Sequence, residues 1–283
     1  MGLIYISLSV ACSLTIAHFL KVSERSESRI LNVLCINYIT AATISFFLSD
    51  NSFRSVSDIP EAVILLAVIL GLIFIANLFV YSASIDRIGM GISIAAMRMS
   101  LAIPVGISLF LYNEQISGLQ YAGMFLVFVS LYLLLPKVKA QKLGLSISVL
   151  LPVFLFVMTG IADASLKVYE REFAGFLSEY AFLGLIFFSA FIIGISLLVY
   201  KKELSFSGRE ILYGIIVGLA NLYSSYFLIL ALQEMKGSIV FPITNISNVV
   251  LGALIGIIIW KDNPSNRQKG GLILALISIL ILI

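Results

Sequence analysis

The chain has 283 residues, of which 60% are hydrophobic and only 12% are charged. A typical soluble domain is about 45–50% apolar and about 25% charged, so this composition leaves too little polar surface to enclose a water-soluble core. The net charge is a modest +3 and the basic residues are scattered, which argues against nucleic acid as a partner. We therefore expect a protein whose solvent is membrane lipid.

The two cysteines and the single histidine exclude several kinds of site. Cys12 and Cys35 each lie inside an apolar stretch, and we expect small core residues rather than a disulfide. One histidine, without a cysteine cluster or a His-Glu-x-x-His motif, gives no basis for a zinc site. We therefore predict no metal and no cofactor. The first apolar run lacks the basic start of a signal peptide, so we expect it to remain as a helix.

Ten apolar stretches are candidates for crossing a bilayer as helices. About 20 residues, each rising about 1.5 Å, span the roughly 30 Å of hydrocarbon. Short polar loops join the stretches, so we predict an all-α membrane protein of about ten transmembrane helices without a soluble catalytic domain. The tenth stretch is the weakest, because its purely apolar part covers only 270–283. The predicted spans are 2–20, 30–48, 62–84, 90–111, 118–135, 146–167, 179–200, 210–232, 238–260 and 268–283.

Two sequence matches indicate an internal repeat. The segment LKVSER closes the first predicted helix at 20–25, and LKVYER closes the sixth at 166–171, an offset of 146. The second match is an acidic-x-x-Ser-x-x-Gln-x-x-Gly pattern at an offset of 148, in which Asp262, Ser265, Gln268 and Gly271 repeat Glu114, Ser117, Gln120 and Gly123. We assign the repeats to 1–140 and 141–283. Five helices is an odd number, so the second repeat begins on the opposite side of the membrane and the two repeats are inverted.

Ten helices in two five-helix repeats, with this motif entering helices five and ten, resemble the drug/metabolite transporter superfamily and in particular its EamA-type members. The first copy of the motif spans 113–123, and the second, 261–271, departs from the pattern by having Asp262 in place of Glu. The resemblance covers almost the whole chain. It implies solute transport, usually export of metabolites or amino acids, in a bacterial or archaeal plasma membrane, without naming the substrate.

Arg98 lies near the middle of the fourth predicted span. Insertion of an arginine at the centre of a span costs about 2.5–3.5 kcal/mol, so we expect this side chain to face the interior of the bundle. Two interpretations stay open for it. Arg98 either binds an anionic group of the substrate or gates the pathway, or it forms a structural pair with a buried carboxylate.

Three further ionisable residues are candidates for ion coupling. Asp163 and Lys167 are four residues apart on the sixth predicted helix and share a face, so they either neutralise each other or leave Asp163 to carry a proton or cation. His18 lies one turn from the end of the first helix and titrates near neutral pH, although a satisfied interior histidine is the alternative.

Amides and hydroxyls in the predicted helices are candidates for a polar cavity. Such groups either line a cavity or hydrogen-bond one helix to another, and both interpretations stay open. Asn77 and Tyr81 share one face of helix three. Asn221 lies in helix eight with Ser224 and Ser225. Helix nine contains Thr244, Asn245 and Asn248. The amides and phenol predicted to bind substrate with Arg98 are Asn77, Tyr81, Asn221, Asn245 and Asn248.

These features predict a secondary transporter that carries a small solute, such as a metabolite, amino acid or drug-like compound, by alternating access. No Gly-x-x-x-x-Gly-Lys-Ser/Thr motif supplies ATP energy, so coupling to a proton or cation gradient is expected. The alternatives are a membrane-embedded lipid-modifying enzyme and a structural membrane protein without transport. We expect no enzyme, because no acid stands near His18. Monomer and homodimer both remain open.

The basic residues of the loops predict an orientation. The nine short loops carry thirteen Lys and Arg in the odd-numbered set and three in the even-numbered set. The positive-inside rule therefore predicts cytoplasmic odd loops and both termini outside, whereas members of the family that the chain resembles are commonly drawn with both termini inside. The odd-loop residues are Lys21, Arg25, Arg29, Arg87, Lys137, Lys139, Lys142, Lys201, Lys202, Arg209, Lys261, Arg267 and Lys269, and the even-loop residues are Arg54, Arg171 and Lys236.

Overall fold

A computed structural model of the chain describes residues 1–49, 59–88, 90–134, 147–258 and 264–283. Within these ranges the chain is α-helical, and no strand occurs in them. The helices are α1 (Gly2–Arg25), α2 (Ile30–Leu48), α3 (Glu61–Ile88), α4 (Met90–Met99), α5 (Ala102–Gly106), α6 (Gly118–Leu134), α7 (Ile147–Val168), α8 (Glu179–Tyr200), α9 (Gly208–Glu234), α10 (Gly237–Ile258) and α11 (Asn266–Leu282). Short π-helical segments extend α5 over Ile107–Leu111 and α7 over Tyr169–Phe173.

Length and composition make many of these helices suitable for a membrane. In the described part of the chain, eight helical spans are long and apolar enough to cross one, and α6 and α11 are shorter, with 17 residues each. The prediction of an all-helical chain is confirmed in the described residues, whereas membrane insertion and the total of ten spans stay predictions. The eight spans are Gly2–Arg25, Ile30–Leu48, Glu61–Ser84, Ile92–Leu111, Leu150–Phe173, Glu179–Tyr200, Gly208–Glu234 and Gly237–Ile258.

Large apolar side chains cover the outer surface of the helices. Phe47 and Phe110 are each 85% exposed, and Ile258 and Leu280 are 75% and 76% exposed. Soluble monomers rarely expose broad apolar patches, because each square ångström of apolar surface in water costs about 25 cal/mol. In hydrocarbon the same side chains are well solvated, which agrees with the composition of the chain.

The chain folds as two compact units, and each unit takes helices from both halves of the sequence. The first unit contains 1–76 and 168–231, and the second contains 77–167 and 232–283. The predicted boundary between the repeats, at 140/141, lies outside the described residues. The compact units are defined by contacts and the repeats by similarity of sequence. The division into units therefore does not test the repeats, which stay a prediction.

In the first unit, α2 packs along α8 through small residues. A Cβ atom added at Gly184 would come within 2.7 Å of the Phe46 ring, and one added at Gly194 within 2.9 Å of the Cys35 sulfur. The end of α2 therefore meets the start of α8, so the two helices are antiparallel. The rings of Tyr38, Phe74 and Phe187 pack nearby, with centroids 6.3–6.4 Å apart.

In the second unit, α6 packs along α11 through reciprocal contacts. Gln120 Nε2 donates to the Leu282 carbonyl at 3.5 Å, and Gln268 Nε2 donates to the Leu134 carbonyl at 3.3 Å. Each glutamine begins its helix and each carbonyl ends the other helix, so the pair is antiparallel. Both the donors and the acceptors are related by the offset of 148.

The fourth predicted span, 90–111, is interrupted. Helix α4 ends at Met99, a turn covers Ser100 and Leu101, and α5 begins at Ala102. Pro104 explains the turn, because it has no N–H for the Ser100 carbonyl and its ring would clash with that group. The Ser100 carbonyl accepts instead from Ile103 N at 2.9 Å, and the Ser100 hydroxyl donates to the Met97 carbonyl at 2.6 Å. Arg98 thus stands at the end of a helix, directly before the break.

Candidate functional site

Most of the predicted site residues belong to the second unit. Asn77 and Tyr81 lie on its part of α3, Arg98 on α4 and Asp163 on α7, and the two α10 amides complete the set. Each of these side chains is half-buried. The arrangement thus gathers residues that are distant in sequence into one unit, and Asn245 and Asn248 share a face of α10 because they are three residues apart.

Arg98 and Asp163 form the charged part of this group. Arg98 lies within electrostatic range of the Asp163 carboxylate and of the Tyr81 side chain. A cation and an anion inside a span partly compensate each other's cost of leaving water. That Arg98 faces the interior of the bundle stays a prediction.

Several amide and hydroxyl oxygens of the same unit are buried without a hydrogen-bond partner in the described residues. Asn77 Nδ2 donates to Thr159 Oγ1 at 3.2 Å, which joins α3 to α7, and leaves Asn77 Oδ1 without a donor. On α10 the same holds for Thr244 Oγ1, Asn245 Oδ1 and Asn248 Oδ1. A buried oxygen without a donor costs about 1–3 kcal/mol, and native proteins seldom retain several of them without a functional reason.

The depth of these groups follows from a contact at one end of α7 and α10. A Cβ atom added at Gly237, the first residue of α10, would lie 3.2 Å from Lys167 Cδ, near the end of α7. Counting about 1.5 Å per residue from this point, Asp163 lies about 6 Å along α7 and Thr159 about 12 Å. Along α10, Thr244 and Asn248 lie at about 10 and 16 Å. Half the hydrocarbon thickness is about 15 Å, so Thr159 and Asn248 come closest to the depth of a span's middle, and Asp163 lies nearer to the end at Lys167.

Close packing at one glycine holds α7 in place. A side chain at Gly160 would overlap Ile103 of α5, so the two helices meet without a gap. Helix α5 also packs against α10. Glycine at this position lets α5, which follows the break after Arg98, approach the segment of α7 that carries Thr159 and Asp163.

A buried ion pair lies where the end of α7 meets the start of α10. Lys167 Nζ lies 2.9 Å from Glu114 Oε1, and these two residues are 1% and 7% exposed. Glu114 also accepts hydrogen bonds from Gly237 N at 3.0 Å, Ser238 N at 2.9 Å and Ser238 Oγ at 2.7 Å. Its carboxylate therefore caps the N-terminus of α10, where backbone N–H groups and the helix dipole favour a negative charge.

This ion pair was not predicted from the sequence. A pair of Lys167 with Asp163 was one of two interpretations of their spacing, whereas the structure places the Lys167 ammonium against Glu114, on the segment before α6. Burial alone would raise the pKa of Glu114, but the hydrogen bonds from Ser238 and the Lys167 ammonium hold it below its ordinary value. Glu114 is the acidic residue of the repeated motif, and this repetition was the signal in the sequence that could have pointed to it.

Two predicted site residues lie in the first unit. Asn221 Nδ2 donates to Asn37 Oδ1 at 3.2 Å, which joins α9 to α2. The His18 ring meets the Phe19 ring edge-on, with centroids 5.5 Å apart. Neither residue belongs to the polar group of the second unit, and their predicted roles in binding and coupling stay predictions.

The arrangement in the second unit can bind a polar solute, and nothing in the described residues marks a metal centre. No group of three or more His, Cys, Asp or Glu side chains that could hold a metal ion occurs in the described residues. Arg98 offers a cation with several N–H donors, Asp163 offers an anion, and the amide and hydroxyl oxygens offer acceptors. These are groups that bind and orient a molecule.

Comparison with known proteins gives the fold but no activity. No family model matches the chain. A Haemophilus influenzae protein described as uncharacterized is 26% identical over 282 residues, which cover 96% of this chain and 94% of that protein. A solved structure described only as a crystal structure of a protein matches with a TM-score of 0.77 at 14% identity, covering 99% of this chain and 95% of that one. The chain is thus similar over nearly its whole length to a bacterial protein and shares its fold with a solved structure.

Proposed function

We propose that the chain is a secondary transporter, in which ten membrane helices form two inverted five-helix repeats and carry a small solute by alternating access. The observation that carries the proposal is the reciprocal packing of α6 and α11. Gln120 contacts the end of α11 as Gln268 contacts the end of α6, and both contacts obey the same offset of 148. Two equivalent helices that meet head to tail in this way support a two-fold relation between inverted repeats.

The position of the polar group supports the same function. Carriers of this kind bind their substrate near the middle of the membrane, where buried polar residues are otherwise avoided because of their cost. The unpartnered amide oxygens belong to the central parts of α3 and α10, and Arg98 stands directly before the break in the fourth span. We assign substrate binding to this group. The resemblance to EamA-type transporters adds the expectation that the solute is exported across a bacterial or archaeal plasma membrane.

The energy source is an ion gradient or the gradient of the solute itself. The sequence holds no motif for ATP binding. Asp163 is the carboxylate of the polar group, and we propose that it carries the proton if transport is proton-linked. The Arg98 guanidinium acts on it electrostatically, and Lys167, which pairs with Glu114, lies one turn farther along α7.

The experiment that tests this function separates a carrier from a lipid-modifying enzyme. Ligand-induced stabilisation of the purified protein, across amino acids, sugars, nucleosides and cationic drugs, selects a solute. Proteoliposomes are then loaded with it, and its efflux is compared with that from protein-free vesicles. A carrier accelerates efflux and leaves the lipids unchanged by mass spectrometry. Unaltered efflux of every stabilising solute, or a new lipid species, would contradict the proposal.

A further inference from the structure

The ion pair between Lys167 and Glu114 is formed by the two segments that mark the sequence repeat. Lys167 belongs to LKVYER, and Glu114 is the acid of the first Ser-x-x-Gln-x-x-Gly motif. The other copies of these segments carry the same kinds of charge at Lys21 and Asp262, of which Asp262 lies outside the described residues. Because the chain repeats both kinds of partner, the pair belongs to what the two halves of the sequence share.

The Glu114 carboxylate joins three segments of the second unit. Glu114 lies on the segment before α6, and the Lys167 ammonium reaches it from near the end of α7 at 2.9 Å. Three further hydrogen bonds reach the carboxylate from the first two residues of α10, at 2.7–3.0 Å. Loss of the contacts at this one carboxylate would therefore separate the end of α7 from the start of α10.

This contact lies at one end of the two helices that carry much of the polar group. Along α7, Asp163 and Thr159 lie about 6 and 12 Å from it, and along α10, Thr244 and Asn248 lie about 10 and 16 Å from it. The paired side chains themselves are buried, so water does not separate them. The contact is thus placed to close this end of the second unit over the polar group.

The surroundings of the contact suit one that opens. A π-helical segment, Ile107–Leu111, ends shortly before Glu114, and another, Tyr169–Phe173, begins shortly after Lys167. Such segments are rare and are frequent at functional sites. Ser108 Oγ, next to the start of α10, is buried without a hydrogen-bond partner in the described residues. A buried ion pair is often no more stable than apolar packing of similar volume, so stability alone does not explain its presence.

We propose that Glu114 and Lys167 form a gate, an ion pair that closes one end of the second unit over the polar group and that breaks and re-forms in each transport cycle. This inference rests on the proposed function, since it names the contact that controls access to the proposed substrate site. The start of α10 is released together with Lys167, because the same carboxylate holds both. An ion pair with a purely structural role stays closed throughout the cycle.

A reversible lock separates a gate from a static contact. A Cβ atom at Gly237 would touch Ser108 Oγ, so Ser108→Cys and Gly237→Cys, in a chain without Cys12 and Cys35, place two thiols close enough for a disulfide. Oxidation should slow counterflow of the solute found by stabilisation roughly 10-fold or more, and a reductant should restore it. Each single-cysteine chain, oxidised in the same way, is the control. Unchanged counterflow in the cross-linked protein would overturn the proposal, because a lock does not harm a contact that never opens.

A second test detects opening without a solute. Ser108→Cys and Ser130→Cys each place one thiol at a fully buried position of the second unit, and Ser130 lies on α6, away from the gate. Reaction with a water-soluble maleimide is followed in lipid nanodiscs, far below the unfolding temperature. Glu114→Gln should accelerate labelling at position 108 roughly 10- to 100-fold and leave position 130 unchanged. Equal acceleration at both positions would show general destabilisation and overturn the gate.

The outcome is separable from the proposed function, because labelling requires neither solute nor flux. Selective labelling at position 108 without transport of any solute would leave the opening of this contact standing and refute the transporter. Transport that survives the lock, with equal labelling at both positions, would refute the gate and leave the transporter standing. If the disulfide does not form, the labelling comparison still decides the question.

Discussion

At the scale of single residues, the buried charges of the second unit act on one another across different segments of the chain. Lys167 pairs with Glu114, and Arg98 lies within electrostatic range of Asp163. Arg98 and Asp163 were singled out in the sequence because a charge in hydrocarbon is costly. A pair of Lys167 with Asp163 was one interpretation of their spacing of one helical turn. Pairing between distant segments depends on how helices pack, and side-chain periodicity within one helix carries no information about it.

The role of Asp163 in coupling leads to a first prediction. If transport is proton-linked, Asp163→Asn should abolish uptake driven by a pH gradient and leave solute exchange at equal pH intact, because the amide cannot carry a proton. Both activities are measured in proteoliposomes with labelled solute. A pH dependence identical to that of the unaltered protein would remove Asp163 from the coupling mechanism.

The buried Glu114–Lys167 pair leads to a second prediction. Glu114→Gln leaves the Lys167 ammonium buried without its carboxylate, so the free energy of unfolding should fall by about 3–5 kcal/mol. The double variant with Lys167→Met should recover part of this loss, because no charge then remains. Glu234→Gln is the control, since that side chain is exposed at the end of α9. Denaturant unfolding in detergent measures all three, and a loss no larger than that of the control would contradict the assignment.

The same pair gives the stability a definite pH dependence. The pKa of Glu114 is lower in the folded protein than its ordinary value of about 4.3. Its stabilising contribution is therefore complete above that ordinary value and is lost as the pH falls through the lowered one. Unfolding measured from pH 7 down to pH 3 should show an acid-induced loss that is smaller in Glu114→Gln.

At the scale of single elements, the repeated motif has a physical explanation. Ser117 and Ser265 each accept from the backbone N–H of the glutamine three residues later, and each glutamine side chain accepts from the backbone N–H of its serine. This is the capping box at the start of α6 and α11. The glutamine amide then reaches the end of the opposite helix. The motif was visible in the sequence, but the antiparallel contact that it serves was not.

The glycine of the motif leads to a third prediction. A Cβ atom at Gly271 would lie 2.9 Å from Leu134 Cγ and 3.2 Å from the Leu134 backbone nitrogen. Gly271→Ala should therefore lower the free energy of unfolding by about 1–3 kcal/mol. Gly270→Ala is a matched control, because nothing lies within 4 Å of that site and alanine favours the helix. Equal effects of the two substitutions on thermal unfolding would argue against close packing of α6 and α11.

The interruption of the fourth span shows where sequence reasoning about elements was incomplete. A single helix was predicted over 90–111, and the structure divides it at Ser100 and Leu101. Pro104 was available as a signal, since a proline prevents the hydrogen bond to the residue four positions earlier. The average hydrophobicity of a span is not changed by one missing backbone hydrogen bond. A helix boundary that depends on such a bond, like the one between α4 and α5, is therefore not visible in the hydrophobic pattern.

At the scale of the whole molecule, the positions of apolar helices were easier to predict than the grouping of those helices into compact units. Hydrophobic stretches of membrane length are a local property, and helices formed where they were expected. The division into 1–76 with 168–231 and 77–167 with 232–283 depends on contacts between distant segments. The repeats in the sequence gave no direct sign of that division, because each unit takes helices from both halves.

Orientation in the membrane leads to a fourth prediction. The bias of thirteen to three basic residues predicts that the odd loops face the cytoplasm and that both termini lie outside. Lys139, in the odd-numbered set, lies outside the described residues. Lys202, in an odd loop, and Gly175, in an even loop, are both exposed, and each is replaced by a single cysteine. The cysteines are introduced in a chain without Cys12 and Cys35.

An impermeant maleimide applied to intact cells should label the cysteine at Gly175 and spare the one at Lys202. Permeabilised cells should label both, which controls for reactivity. The opposite pattern in intact cells would place both termini inside, as in the commonly drawn arrangement of the family that the chain resembles.

The most direct measurement of alternating access is counterflow. Proteoliposomes are loaded with an excess of the unlabelled solute found by stabilisation and diluted into a trace of the same solute in labelled form. A carrier that exposes one site to each side in turn should accumulate label transiently above its external concentration, and Arg98→Gln should not. Label that only approaches the external concentration, or that never enters although the solute binds, would contradict the account of this protein as a carrier.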